Sequence, residues 1–152
     1  MASKAISTAL VLALLCGGLA VSTALAGNEG SAVIVKLGHS QKLGRFLVDS
    51  RGHTLYLYTP ETASAIQCTT DYLNCAGLWP PLLTSAKPRA GAGVNGRLLG
   101  TVRRTHPAGV QVTYNRHPLY LYSPDVKAGM TSGQGLFKYW YVVSPAGKAI
   151  KK

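Results

Sequence analysis

Leucine and tyrosine alternate over two short stretches of this chain, Leu55-Tyr56-Leu57-Tyr58 and Leu119-Tyr120-Leu121-Tyr122. Alternate residues of an extended strand share a face. Each stretch therefore predicts a strand with leucines on one side and tyrosines on the other. Proline at 60 and 124 stops both runs. An extended segment and a polar turn precede each run, so each reads as a hairpin: strands over 45–49 and 54–58 joined through Ser50-Arg51-Gly52, and over 110–114 and 118–122 joined through Asn115-Arg116-His117. Further strands are predicted over 32–37, 97–102 and 139–144. Helical periodicity is thin, with room for one or two short turns around Cys68 within 62–73. The pattern predicts an all-β or mostly β fold, a single compact domain with at most one short helix near the cysteines.

The two stretches belong to a duplication. An offset of 64 lays His53-Thr54-Leu55-Tyr56-Leu57-Tyr58-Thr59-Pro60-Glu61 on His117-Pro118-Leu119-Tyr120-Leu121-Tyr122-Ser123-Pro124-Asp125, with most positions identical. The match continues more weakly upstream, Phe46-Leu47-Val48 on Val110-Gln111-Val112. Repeat 1 spans about 43–83 and repeat 2 about 108–147. Gly91-Ala92-Gly93 reads as a mobile connector between them.

Lys4 and an uncharged apolar stretch over 9–26 ending in Ala24-Leu25-Ala26 read as a signal peptide over 1–26. The folded unit is then 27–152, and the protein is exported to the periplasm, envelope or exterior. A signal anchor is the alternative, and a lipid on Cys16 is a further one, although Leu15 precedes it where lipoprotein processing takes a small residue. Cys68 and Cys75 then remain as an even pair in an oxidising compartment, which predicts a disulfide. Two free thiols are the alternative.

The formal charge is +11, from 16 basic and 5 acidic residues. Such a chain is attracted to anionic surfaces, which outside the cytoplasm means anionic lipid, lipopolysaccharide or cell-wall polymer. Nucleic acid is not an expected partner, and membrane association is expected to be peripheral. The basic residues are dispersed, so a generally solvated basic surface is the first reading.

The candidate site is the tyrosine face with its acidic ends: Tyr56, Tyr58 and Glu61, repeated as Tyr120, Tyr122 and Asp125. A second packed layer is the first reading of those rings and a groove that stacks flat ligands the second. The carboxylates are expected to cap the turns after Pro60 and Pro124 or to pair with arginine. No catalytic residue is expected, because G-x-S-x-G and H-E-x-x-H are both absent. No cofactor or metal is expected either; His53 and His117 are weak metal candidates placed beside turns. Gly129-Met130-Thr131-Ser132-Gly133-Gln134-Gly135 reads as a flexible surface loop. Trp79, before Pro80-Pro81, and Trp140 are expected to be structural partners.

These residues resemble the bacterial secreted-repeat family of predicted lipoproteins marked by a Tyr-x-aromatic-x-x-Asp motif. The resemblance rests on residues 55–61, Trp79-Pro80-Pro81-Leu82, 111–115, 117–125, Gly133-Gln134-Gly135 and 140–144. Glu61 stands where the motif has Asp, and the Cys68/Cys75 spacing is wider than the family's. The resemblance implies export and a repeat architecture, with no established activity. The expected function is that of a non-enzymatic binding or structural module of the envelope, the alternative being a metal-, haem- or redox-associated accessory protein.

Overall fold

A computed structural model describes residues 30–152; the leader expected over 1–26, with Cys16, lies outside the described residues. The fold is mostly β and forms a single domain of three small sheets. Strand β1 (Ile34–Ser40) pairs antiparallel with β2 (Gly44–Val48) and parallel with the two-residue β4 (Arg89–Ala90). Strand β3 (Tyr56–Tyr58) pairs antiparallel with β8 (Trp140–Val142). Strands β5 (Leu99–Thr105) and β6 (Ala108–Tyr114) form the longest hairpin, and β7 (His117–Pro118) lies on the other edge of β6. Among the described residues the one α-helix, α1 (Cys75–Leu78), is a single turn beside the Cys68–Cys75 disulfide. It starts at the second cysteine, seven residues after Cys68.

The two faces of the Leu-Tyr strands separate the core into two clusters. Leu47, Leu55, Leu57, Leu82, Val112, Leu119 and Val143 make an aliphatic one. Tyr56, Trp79, Tyr120 and Trp140 make an aromatic one with Phe46, Val48 and Val142. Leu55 and Leu119 are wholly buried, and each such side chain contributes roughly 1.5–3 kcal/mol relative to exposure.

The duplication is visible in the backbone hydrogen bonds. In one place Leu47 N–H donates to Val143 C=O (2.9 Å), Val143 N–H to Leu55 C=O (3.2 Å) and Leu55 N–H to Leu47 C=O (3.0 Å). These three bonds close a ring among three strands. Its counterpart runs from Val112 N–H to Leu82 C=O (2.8 Å), Leu82 N–H to Leu119 C=O (2.9 Å) and Leu119 N–H to Val112 C=O (2.9 Å). Each ring takes two strands from one repeat and its third from the other: Val143 of repeat 2 completes repeat 1, and Leu82 of repeat 1 completes repeat 2. The halves join directly between Tyr56 and Tyr120, whose N–H and C=O groups are exchanged at 2.8 and 2.9 Å. A pseudo-twofold axis passes through that pair.

Four sequence expectations are revised. The strand expected over 118–122 has ladder pairing only at His117–Pro118. Beyond it Leu119 meets Leu82 and Val112, Tyr120 meets Tyr56 and Pro81, and Leu121 meets Pro80, so no single partner continues long enough to make a ladder. The upstream strands align at 65 residues, Leu47 with Val112, because the first turn is one residue longer. Asp49 organises that turn, its Oδ1 accepting from the N–H groups of Arg51 (2.8 Å) and His53 (2.9 Å). The glycine-rich 129–135 segment is anchored at its centre: a Cβ on Gly133 would lie 2.7 Å from the Trp79 ring and 3.0 Å from Tyr56, so this close approach requires glycine. Finally, Gly91, in the expected connector, donates to Val35 C=O at 2.7 Å and ties that turn to β1.

Because each half borrows a strand, fragments 27–91 and 94–152 should each lack a cooperative melt and near-ultraviolet dichroism when separate. Mixing them should restore both signals. A cooperative melt from either fragment alone would refute the exchange.

Candidate functional site

The site residues named from the sequence divide into a buried set and a half-exposed set. Tyr56, Tyr120 and Glu61 have no solvent exposure and Asp125 has 6%. Tyr58 and Tyr122 are half-buried. The tyrosine face is therefore a packed layer over its inner part, and a ligand at the surface meets only its outer ends.

The buried tyrosines and carboxylates are paired crosswise. Tyr56 Oη of repeat 1 donates to Asp125 Oδ2 of repeat 2 at 2.5 Å, and Tyr120 Oη of repeat 2 donates to Glu61 Oε2 of repeat 1 at 2.7 Å. The second oxygen of each carboxylate closes the loop that follows it. Glu61 Oε1 accepts from the N–H groups of Gln67 (2.5 Å) and Cys68 (3.1 Å), and Asp125 Oδ1 accepts from Ser132 N–H (3.0 Å). Turn-capping is thus one of two jobs each carboxylate performs. Arg104 is anchored nearby: Nη1 donates to Gln111 Oε1 (2.7 Å), Nη2 to Cys68 C=O (2.6 Å), and the guanidinium lies 6.0 Å from the Tyr120 ring centre.

Burial pushes the Glu61 carboxyl above its ordinary range, opposed by the Tyr120 hydroxyl, the N–H groups of Gln67 and Cys68, and the charge of Arg104. The hydroxyls of Tyr56 and Tyr120 are raised, first by burial and then by their carboxylate partners. They stay protonated and act as fixed donors.

Trp79 and Trp140 are the stacked partners expected of them, with ring centres 3.9 Å apart and planes within 3°. Tyr122 lies against Trp79 at 4.4 Å, as Tyr58 lies against Trp140 at 4.8 Å. Tyr56 meets Trp79 edge-on at 5.3 Å, and Tyr120 meets Trp140 edge-on at 5.2 Å. The six rings obey the pseudo-twofold axis.

The surroundings of the two outer tyrosines do not. Tyr122 opens onto a cleft of about 320 Å³ whose lining includes the charged or titratable Arg51, His53 and Asp125. Tyr58 opens onto a groove of about 680 Å³ floored by Trp79, Trp140 and the disulfide, and walled by Tyr72, Leu73, Leu78, Phe137 and Tyr139. Among the described residues no charged side chain lines this groove. Its rim is unusually apolar, with Leu73 at 87% and Phe137 at 71% exposure. Leu73 (φ 46°) and Phe137 (φ 54°) are both held in the left-handed region, as are their neighbours Asn74 and Lys138. For a non-glycine residue that conformation costs on the order of 1–2 kcal/mol. Sequence reasoning missed the rim because these residues lie in loops, where neither periodicity nor duplication marks them.

The histidines make local contacts. His117 Nδ1 is 3.0 Å from Glu61 C=O, and His53 Nδ1 is 3.3 Å from Asp49 Oδ2. Among the described residues no three His, Cys, Asp or Glu side chains converge as a metal site would require.

Replacing Glu61 by Gln keeps an acceptor for the two N–H groups and removes the charge. A carboxyl raised in the folded state favours folding fully below its unfolded value near 4.3, and that contribution is lost as pH rises through the raised folded value. The melting temperature of the native protein should therefore fall relative to E61Q as pH rises above the unfolded value. Y120F should cost about 1–3 kcal/mol by leaving Glu61 Oε2 buried without a donor. In the E61Q background the same change should cost measurably less, as a double-mutant cycle by thermal denaturation would show.

No curated protein and no solved structure matches the chain. Residues 102–144, which carry β6, β7, Tyr120, Tyr122, Asp125 and Trp140, match the model of a family described as a secreted repeat of unknown function. The similarity is confined to residues 102–144, and the family's description as secreted is in keeping with an exported protein.

Proposed function

We propose that this protein is a non-catalytic binding module of the cell envelope, and that its partner occupies the uncharged groove between the Tyr72–Cys75 loop and the Leu136–Tyr139 turn. The observation that carries this reading is the rim. Leu73 and Phe137 are large apolar side chains displayed to solvent, on backbone whose left-handed conformation disfavours folding. Strain and exposed apolar surface in the same two loops are features that binding, rather than stability, accounts for. The stacked Trp79 and Trp140 beneath them form a stiff floor that need not reorganise on binding.

The titratable groups inside the fold support a non-catalytic role. Glu61 and Asp125 are each committed to a tyrosine hydroxyl of the other repeat and to backbone N–H groups. Neither faces the groove, so an acid or base is not presented to anything bound there.

The test is a thermal-shift panel on the oxidised, exported protein: divalent metals, haem, anionic lipid headgroups, lipopolysaccharide and soluble cell-wall fragments. A ligand at a hundred times its dissociation constant stabilises by about 2.7 kcal/mol, which raises the midpoint by several degrees. The shift should come from an envelope component and should vanish when Tyr139 and Phe137 are both replaced by Ser. A shift with metal or haem alone that survives this replacement would refute the reading.

A further inference from the structure

Resting on that reading of the groove, we propose that its partner is the surface of an anionic phospholipid bilayer, entered by Leu73 and Phe137. The outermost atoms around the groove are its most apolar: Leu73 and Phe137, from two separate loops, are the most exposed large hydrophobic residues near it. Tyr72 and Tyr139, 66% and 50% exposed, line the same groove beside the two tips. An amphipathic ring beside an apolar tip suits the headgroup layer, where one end is apolar and the other wet.

Charge favours the same partner. The chain carries a formal +11, and Lys138 directly follows Phe137 at the exposed turn. The acidic residue next to Tyr72, Asp71, lies 3.4 Å from His106 Nδ1 and does not line the groove. An uncharged insertion surface set in a basic protein combines apolar partition with attraction to anionic headgroups. The left-handed backbone at both tips coincides with their exposure.

The experiment is co-sedimentation of the exported, oxidised protein with vesicles of phosphatidylcholine alone and with vesicles of phosphatidylcholine and phosphatidylglycerol in equal parts. Native protein should bind the second and not the first, and raised salt should release it. Leu73→Asn and Phe137→Asn should each weaken partition by roughly tenfold. Asparagine tolerates the left-handed region, so the melting temperature should be unchanged, which separates lost binding from lost fold. Failure of the native protein to bind phosphatidylglycerol vesicles would overturn the proposal, as would equal binding by the doubly substituted variant. If vesicles are ignored while a soluble cell-wall fragment stabilises the native protein and not that variant, the groove is the site and the bilayer is the wrong partner. If the variant and native protein respond alike to every probe, the groove itself is the wrong site.

Discussion

Glu61 is fully buried and Asp125 nearly so, and a buried carboxylate without partners costs several kcal/mol. The fold meets that constraint by crossing the repeats, so that each carboxylate accepts a proton donor from the opposite half. Much of the architecture follows. The Tyr56–Tyr120 backbone pair must sit on the pseudo-twofold axis for both hydroxyls to reach across. The chain beyond each carboxylate must also fold back, so that Gln67, Cys68 and Ser132 present N–H groups to the remaining oxygens. The loops that carry the disulfide and Gly133 are therefore held by the same groups that hold the halves together.

Symmetry ends at the surface. Six aromatic rings repeat faithfully about the axis, yet only the Tyr58 side opens into an apolar groove. The reason lies in what each repeat places after its carboxylate. Repeat 1 has a disulfide-bonded loop with Tyr72 and Leu73 at its tip. Repeat 2 has the 126–135 segment, whose Gly133 packs directly on Trp79. Duplication accounts for the scaffold, and the differences between the copies account for the candidate site.

The parts of this structure legible in the sequence are those with a period. Leu-Tyr alternation located the two core faces, the offset of 64 found the duplication, and cysteine parity in an exported chain predicted the disulfide. The Trp79/Trp140 partnership was legible because two large rings needed burial. What could not be read is what depends on contacts distant in sequence. Nothing local says that Leu82 completes the second repeat, or that Glu61 answers Tyr120 across 59 residues. The buried carboxylates read as turn caps because the near half of their bonding is local and the far half is not. The groove rim escaped notice for a related reason: Leu73 and Phe137 are marked by φ and exposure, neither of which a residue type discloses.

The exchange of third strands also bears on how many repeats a chain of this kind can hold. One copy alone has two strands of its ring and an unpaired donor, so on this architecture it should not fold as a unit, whereas two copies satisfy each other. A chain with an odd number of copies would leave one donor strand and one vacant ring position. Both would be met by a second molecule with the same surplus. Parity of copy number, rather than chain length, would then decide whether such a protein stands alone or assembles through its backbone.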